Sequence, residues 1–308
     1  MEYVLLGISV LCEVFATGIL RNAYCKKHVK NAADLYLFNA ASSVVTLAGL
    51  ALISALNGAL CMPSLYTALF GILFGLVTAG CAVFHMMALK TGPLSYTKVI
   101  VSCSMVIPAL SGAVLYGESV SVWQYVGMGL VMLSVVLAVD HGNKDAHASL
   151  RWLVYCLLAF VLCGSIGVMQ KIHQTSEHKG EIGAFLLIAF SVSALFSFLM
   201  IPYSLKKENC RLSLRENGAS AAPLWLYSLV CGAGIAFCNH YNMYLSGVIE
   251  SVILFPVLNG GSMILTAAAG LIFYKERLTR AQTVGMILGV IAILLLCGIV
   301  PLVLRLLS

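Results

Sequence analysis

The sequence predicts an all-α integral membrane protein whose ten transmembrane helices form two inverted five-helix repeats. Three observations predict it. Of 308 residues 61% are apolar and 10% charged, with a mean hydropathy of +0.98, which is more apolar surface than a water-soluble domain could bury. The apolar residues gather into ten runs long enough to cross a hydrocarbon core about 30 Å thick. Residues 116–128, late in the first half, align without gaps on residues 274–286, late in the second.

In chain order, the runs are Tyr3 to Leu20, Leu35 to Leu56, Leu65 to Leu89, Leu94 to Leu115, Val122 to Val139, Trp152 to Met169, Ile182 to Tyr203, Leu224 to Leu245, Ser251 to Phe273 and Ala281 to Leu304. The polar stretch 140–151 is a linker between the first repeat, 1–139, and the second, 152–308. The other long polar connection is Ser204 to Ala222. The first run is read as a span rather than a cleavable signal, because its start is acidic (Glu2) and its basic cluster follows it. Most of the eleven cysteines lie inside apolar runs with no Cys-x-x-Cys pair, so they read as packing residues rather than metal ligands or redox centres.

Each aligned stretch carries a helix-start signature. Ser121 with Gln124, and Thr279 with Gln282, have the spacing of a capping box that opens spans five and ten. Glu118 and Glu276 stand just before those starts, where exposed amides favour a carboxylate, and they read as caps. Spans three and eight also align, pairing His85 with His240 and Gly92 with Gly247. Because five is odd, the second set of five helices must enter the membrane in the opposite sense. The interface of such repeats near the midplane is the expected binding region of a secondary transporter.

One carboxylate interrupts span one. Glu13 lies ten residues beyond Tyr3, about 15 Å at 1.5 Å per residue and therefore near the midplane. An ionised group there costs at least a few kcal/mol, so it is expected to face the bundle interior and to be protonated or paired. Its i−4 and i+4 neighbours, Ser9 and Thr17, extend a polar stripe along the same face. Glu13 has no acidic counterpart in span six, where Cys163-Gly164-Ser165 stands instead, so the predicted site is asymmetric.

Further candidates follow from polarity inside apolar runs. His85 and His240 could line a pathway, although each lies about a turn from the end of its span, where a hydrogen-bonded histidine is ordinary. Asn239 and Asn242 share one face of span eight, and that face is expected to look inward. Span nine carries the candidate Asn259 between Pro256 and the pair Gly260-Gly261, and the proline and two glycines weaken its hydrogen-bond ladder. Such a break exposes backbone groups to a solute, or lets helices pack closely.

Tyr3, Gly7, Glu13-Val14, Thr17 and Leu20-Arg21 together resemble the first helix of small multidrug resistance transporters. The remainder is similar to the larger, ten-helix EamA-like proteins of the drug/metabolite transporter superfamily, which share a Glu-containing turn in each half. The resemblance implies secondary transport of a small organic solute, with Glu13 binding proton and substrate in turn. No cofactor is expected. No Gly-x-x-x-x-Gly-Lys-Ser/Thr loop is present to draw on ATP.

An intramembrane enzyme acting on a lipid-linked substrate is an alternative, but the His-Glu-x-x-His helix and the Gly-x-Ser-x-Gly elbow are both lacking. A lipid-carrier flippase on the same scaffold is another. The net charge of +6 does not point to nucleic acid, because the basic residues sit in short connections. Connections 1–2, 3–4, 5–6, 7–8 and 9–10, with the helix ends beside them, hold fifteen of the eighteen Lys and Arg, whereas Lys171, Lys179 and Arg305 lie on the other side. That asymmetry places the rich side in the cytoplasm and both termini outside a cell membrane that the chain crosses many times. The expected partners are the solute, protons and the lipid bilayer. A monomer is the simplest state, since the two halves supply what four-helix relatives obtain by pairing, and a homodimer remains an alternative.

Overall fold

The computed structural model describes residues 1–58, 62–91, 97, 100–101, 103–138, 150–209, 211–212, 221–262, 264–265 and 280–296. Over these residues every predicted apolar run is helical, and no strand occurs among them. Helix α1 (Glu2–Glu13) passes through a π-helical turn (Val14–Leu20) into α2 (Arg21–His28), so the first helical rod outlasts the predicted run by more than two turns. Then come α3 (Ala32–Leu56), α4 (Leu65–Thr91), a 3-10 turn (Cys103–Met105) leading into α5 (Val106–Tyr116), α6 (Val122–Ala138) and α7 (Leu150–Thr175). A 3-10 turn (Lys179–Glu181) precedes α8 (Ile182–Glu208), and α9 (Ala222–Ser246) follows. Helix α10 (Ser251–Pro256) runs into a second π turn (Val257–Gly261), and α11 (Arg280–Leu296) is the last described helix.

Local chemistry accounts for the boundaries. The predicted capping box is present at α6: Gln124 N–H donates to Ser121 Oγ at 3.2 Å and Ser121 N–H to Gln124 Oε1 at 2.8 Å. Its counterpart at Thr279 lies outside the described residues, as do Glu276 and most of the 140–151 linker. Asn31 caps α3, accepting from Asp34 N–H at 2.8 Å while Asp34 Oδ2 accepts from Lys30 N–H at 3.1 Å. Helix α5 ends at Gly117 with φ +62°, a left-handed turn that suits a residue without Cβ.

Helices α3, α4, α7, α8 (with the turn before it) and α9 are long and apolar enough to cross a membrane, and shorter apolar helices accompany them. Their faces are inverted relative to a soluble protein. Ser42, Thr46, Ser54, Ser197 and Ser228 are buried, while Leu52, Leu69, Leu157, Leu199 and Leu226 are exposed. These features fit a membrane protein, because lipid accepts leucine on the outer face and small polar side chains turn inward between the helices.

The chain divides into two compact units, residues 1–10, 80–175 and 245–308 in one, 11–79 and 176–244 in the other, so each draws helices from both sides of the linker. In the first unit α6 lies along α11, where Ser134 Oγ donates to Gly285 O at 2.7 Å. There α7 approaches α5 and α10 at Gly167, where a Cβ would fall 2.7 Å from Pro108 and 2.8 Å from Phe255. In the second unit α4 presents Gly71 and Gly75 to α8, and a Cβ on Gly75 would meet Ala189 O at 2.7 Å. Helix α3 meets α9 in that unit, with Thr46 Oγ1 donating to Gly232 O at 3.1 Å. Glycines at four-residue spacing let helices come this close, which replaces the hydrophobic driving force missing in lipid.

Candidate functional site

Glu13 is the last residue of α1 and the π turn begins directly after it. The widening is visible in the hydrogen bonding, since Arg21 N–H reaches back five residues to Ala16 O. Such turns release the strict α register and recur at functional sites. One expectation changes as a result: the i+4 relation of Glu13 to Thr17 was drawn on α-helical geometry, which stops at Glu13, and the Thr17 side chain lies outside the described residues. Ser9, one turn earlier, is fully buried, and Glu13 itself is half-buried.

The π turn is packed on α9. The Cys231 thiol donates to Ala16 O at 3.2 Å, and a Cβ on Gly234 would fall 2.6 Å from the Ala16 Cβ. Cys12, beside Glu13, sits with its Sγ 4.0 Å from Gly234 O. Asn239 follows Gly234 by five residues, about 7.5 Å along the helix axis. The segment bearing Glu13 is thereby joined to the helix that carries the polar run Asn239-His240-Tyr241-Asn242.

Within that run Asn239 Nδ2 donates to Ile235 O at 2.9 Å, leaving its Oδ1 as an acceptor, and Asn242 is half-buried. His240 is buried, its ring edge-on to Tyr241 at 5.2 Å, and its Nδ1 has no hydrogen-bond partner among the described residues. The rings of Phe237 and Tyr241 lie 4.5 Å apart. Glu13, Asn239, His240 and Asn242 belong to one compact unit, whereas Ser9, His85 and Asn259 belong to the other. His85 is half-buried on α4, and Asn259 is exposed in the second π turn, donating from Nδ2 to Phe255 O at 3.1 Å.

A second constellation escaped the sequence reading. Lys171 Nζ lies 2.7 Å from Glu118 Oε1, with side chains only 8% and 11% exposed. Glu118 Oε2 accepts from Ser251 N–H at 2.8 Å and Oε1 from Ser251 Oγ at 3.3 Å, while Lys171 Nζ donates to Ile249 O at 3.3 Å and stands 5.9 Å from the Tyr116 ring centre. Glu118 is thus a cap, but of α10 rather than of the helix that follows it in sequence. The left-handed Gly117 turns its side chain away from α6, and Gly112, whose Cβ would strike the carboxylate, leaves room for it. The one sequence signal was a lysine two residues past the end of an apolar run on the lysine-poor side.

In the other unit Ser64 N–H and Oγ donate to Glu181 Oε2 at 2.9 and 2.8 Å, and His178 Nδ1 lies 3.3 Å from Oε1. There too, Asn31 Nδ2 donates to Arg211 O at 3.1 Å. These contacts tie connection 2–3 to 6–7 and connection 1–2 to 7–8.

No protein-family model and no curated protein matches the chain. A solved structure, described only as the crystal structure of a protein, matches it with a TM-score of 0.73 at 16% identity, covering 100% of this chain and 99% of the other. The fold is therefore one that a known structure shares across its whole length.

Proposed function

We propose that this chain is a ten-span, EamA-like member of the drug/metabolite transporter superfamily, lying in the cell membrane and exporting a small organic solute in exchange for protons. The observation that carries the reading is Glu13 at an α-to-π junction in an apolar span, packed through Cys12 and Ala16 against the helix that bears Asn239, His240 and Asn242. A carboxylate supplies charge for proton or cation, the amides supply orienting hydrogen bonds, and Phe237 and Tyr241 supply an aromatic surface.

The contacts between connections support serial crossing. Within the first unit, connection 4–5 (Glu118), the end of α7, connection 8–9 (Ile249) and the first residue of span nine (Ser251) meet one another. In the second, odd connections meet odd and even meet even. A chain that crosses ten times places them in this way, and the sequence alignment of 116–128 on 274–286 supports reading the halves as inverted repeats.

Proton release on solute addition tests the reading. Detergent-purified protein in weak buffer should acidify the medium when a transported solute is added, and Glu13→Gln protein should not. A solute that binds, by quenching of tryptophan fluorescence, without releasing protons from the native protein would overturn proton coupling.

A further inference from the structure

Buried ion pairs contribute little net stability relative to apolar side chains of similar volume, because desolvation offsets the Coulomb attraction. The Lys171–Glu118 pair therefore calls for a reason other than stability. What distinguishes it from an apolar plug is that it is a discrete bond whose two ends become well-solvated charges once water enters. That is the property of a two-state element.

Its partners point the same way. Glu118 holds the first N–H of α10, a helix of six residues that is buried throughout and passes at once into a π turn. Lys171 holds the carbonyl of Ile249 in the connection just before that helix. These hydrogen bonds converge on the entry of α10, so releasing the pair frees the entry of the shortest described α-helix. Gln170, His173 and Gln174, also buried at the end of α7, would meet the water that such an opening admits.

We propose that Lys171, Glu118 and Ser251 form a latch that closes the lysine-poor end of this unit, and that it breaks when that end opens to water during transport. The inference rests on the transporter reading for why the end should open. Its test needs neither solute nor proton gradient, so the two stand or fall separately.

The experiment uses the full chain in a cysteine-free background with one reporter, Val252→Cys, a position fully buried behind the latch. The reporter is labelled with a membrane-impermeant maleimide in vesicles. With the latch intact labelling should be slow. Lys171→Met, which keeps the stem and removes the charge, should raise the rate by about 10-fold or more, as should Glu118→Gln, because breaking such a pair leaves an uncompensated buried charge. The conservative variant Lys171→Arg, which keeps a cationic donor for both Glu118 and the Ile249 carbonyl, should stay near the parent rate. Unchanged labelling in folded single variants would overturn the latch. So would a rise in labelling only where circular dichroism shows helix loss, since the pair would then be a fixed staple.

Discussion

The Cys231 thiol donates to the Ala16 carbonyl at 3.2 Å, although the two residues are 215 positions apart in the chain. Ala16 lies in the π turn that starts after Glu13, so this bond and the Gly234 contact fix where the carboxylate stands relative to α9.

Glu13→Gln keeps the shape and hydrogen bonding of the side chain but cannot titrate. Expression and thermal midpoint should stay nearly unchanged, while solute movement driven by a pH gradient in proteoliposomes should be abolished. Glu13→Asp should retain part of the activity with a displaced pH profile, since the shorter chain moves the carboxyl. Wild-type accumulation by Glu13→Gln under a proton gradient would make Glu13 a packing residue.

Gly234→Ala should force the first span away from α9, because the new Cβ would fall 2.6 Å from the Ala16 Cβ. The expected cost is about 1–3 kcal/mol, read as a lower unfolding midpoint, together with reduced transport. Gly129→Ala is the control, as nothing lies within 4 Å of a Cβ there. Equal midpoints for the two variants would argue against the close packing at Gly234.

Ser121→Ala removes one arm of the capping box at α6 and should cost about 1 kcal/mol, measured by chemical denaturation in detergent. Ser121→Asp should recover most of the loss. No change on Ser121→Ala would mean that the bond from Gln124 N–H contributes nothing measurable.

The charge asymmetry predicts an outside C-terminus. A phosphatase active only outside the cytoplasm, fused after Ser308, should be active, whereas a fluorescent protein that matures only in the cytoplasm should stay dark. The opposite pair of results would invert the orientation.

The places of the helices were legible in the sequence because lipid demands long apolar runs with every backbone group bonded internally, and because caps such as Ser121 with Gln124 act within one turn. Glu13 stood out for the same reason, a carboxylate being costly in an apolar run. Tertiary structure alone decided that α-helical geometry stops at Glu13, and that Glu118 caps a helix start 133 residues away while pairing with Lys171. The physical reason is that a π turn and a buried ion pair depend on which distant helix supplies the partner. Local periodicity carries no record of that choice.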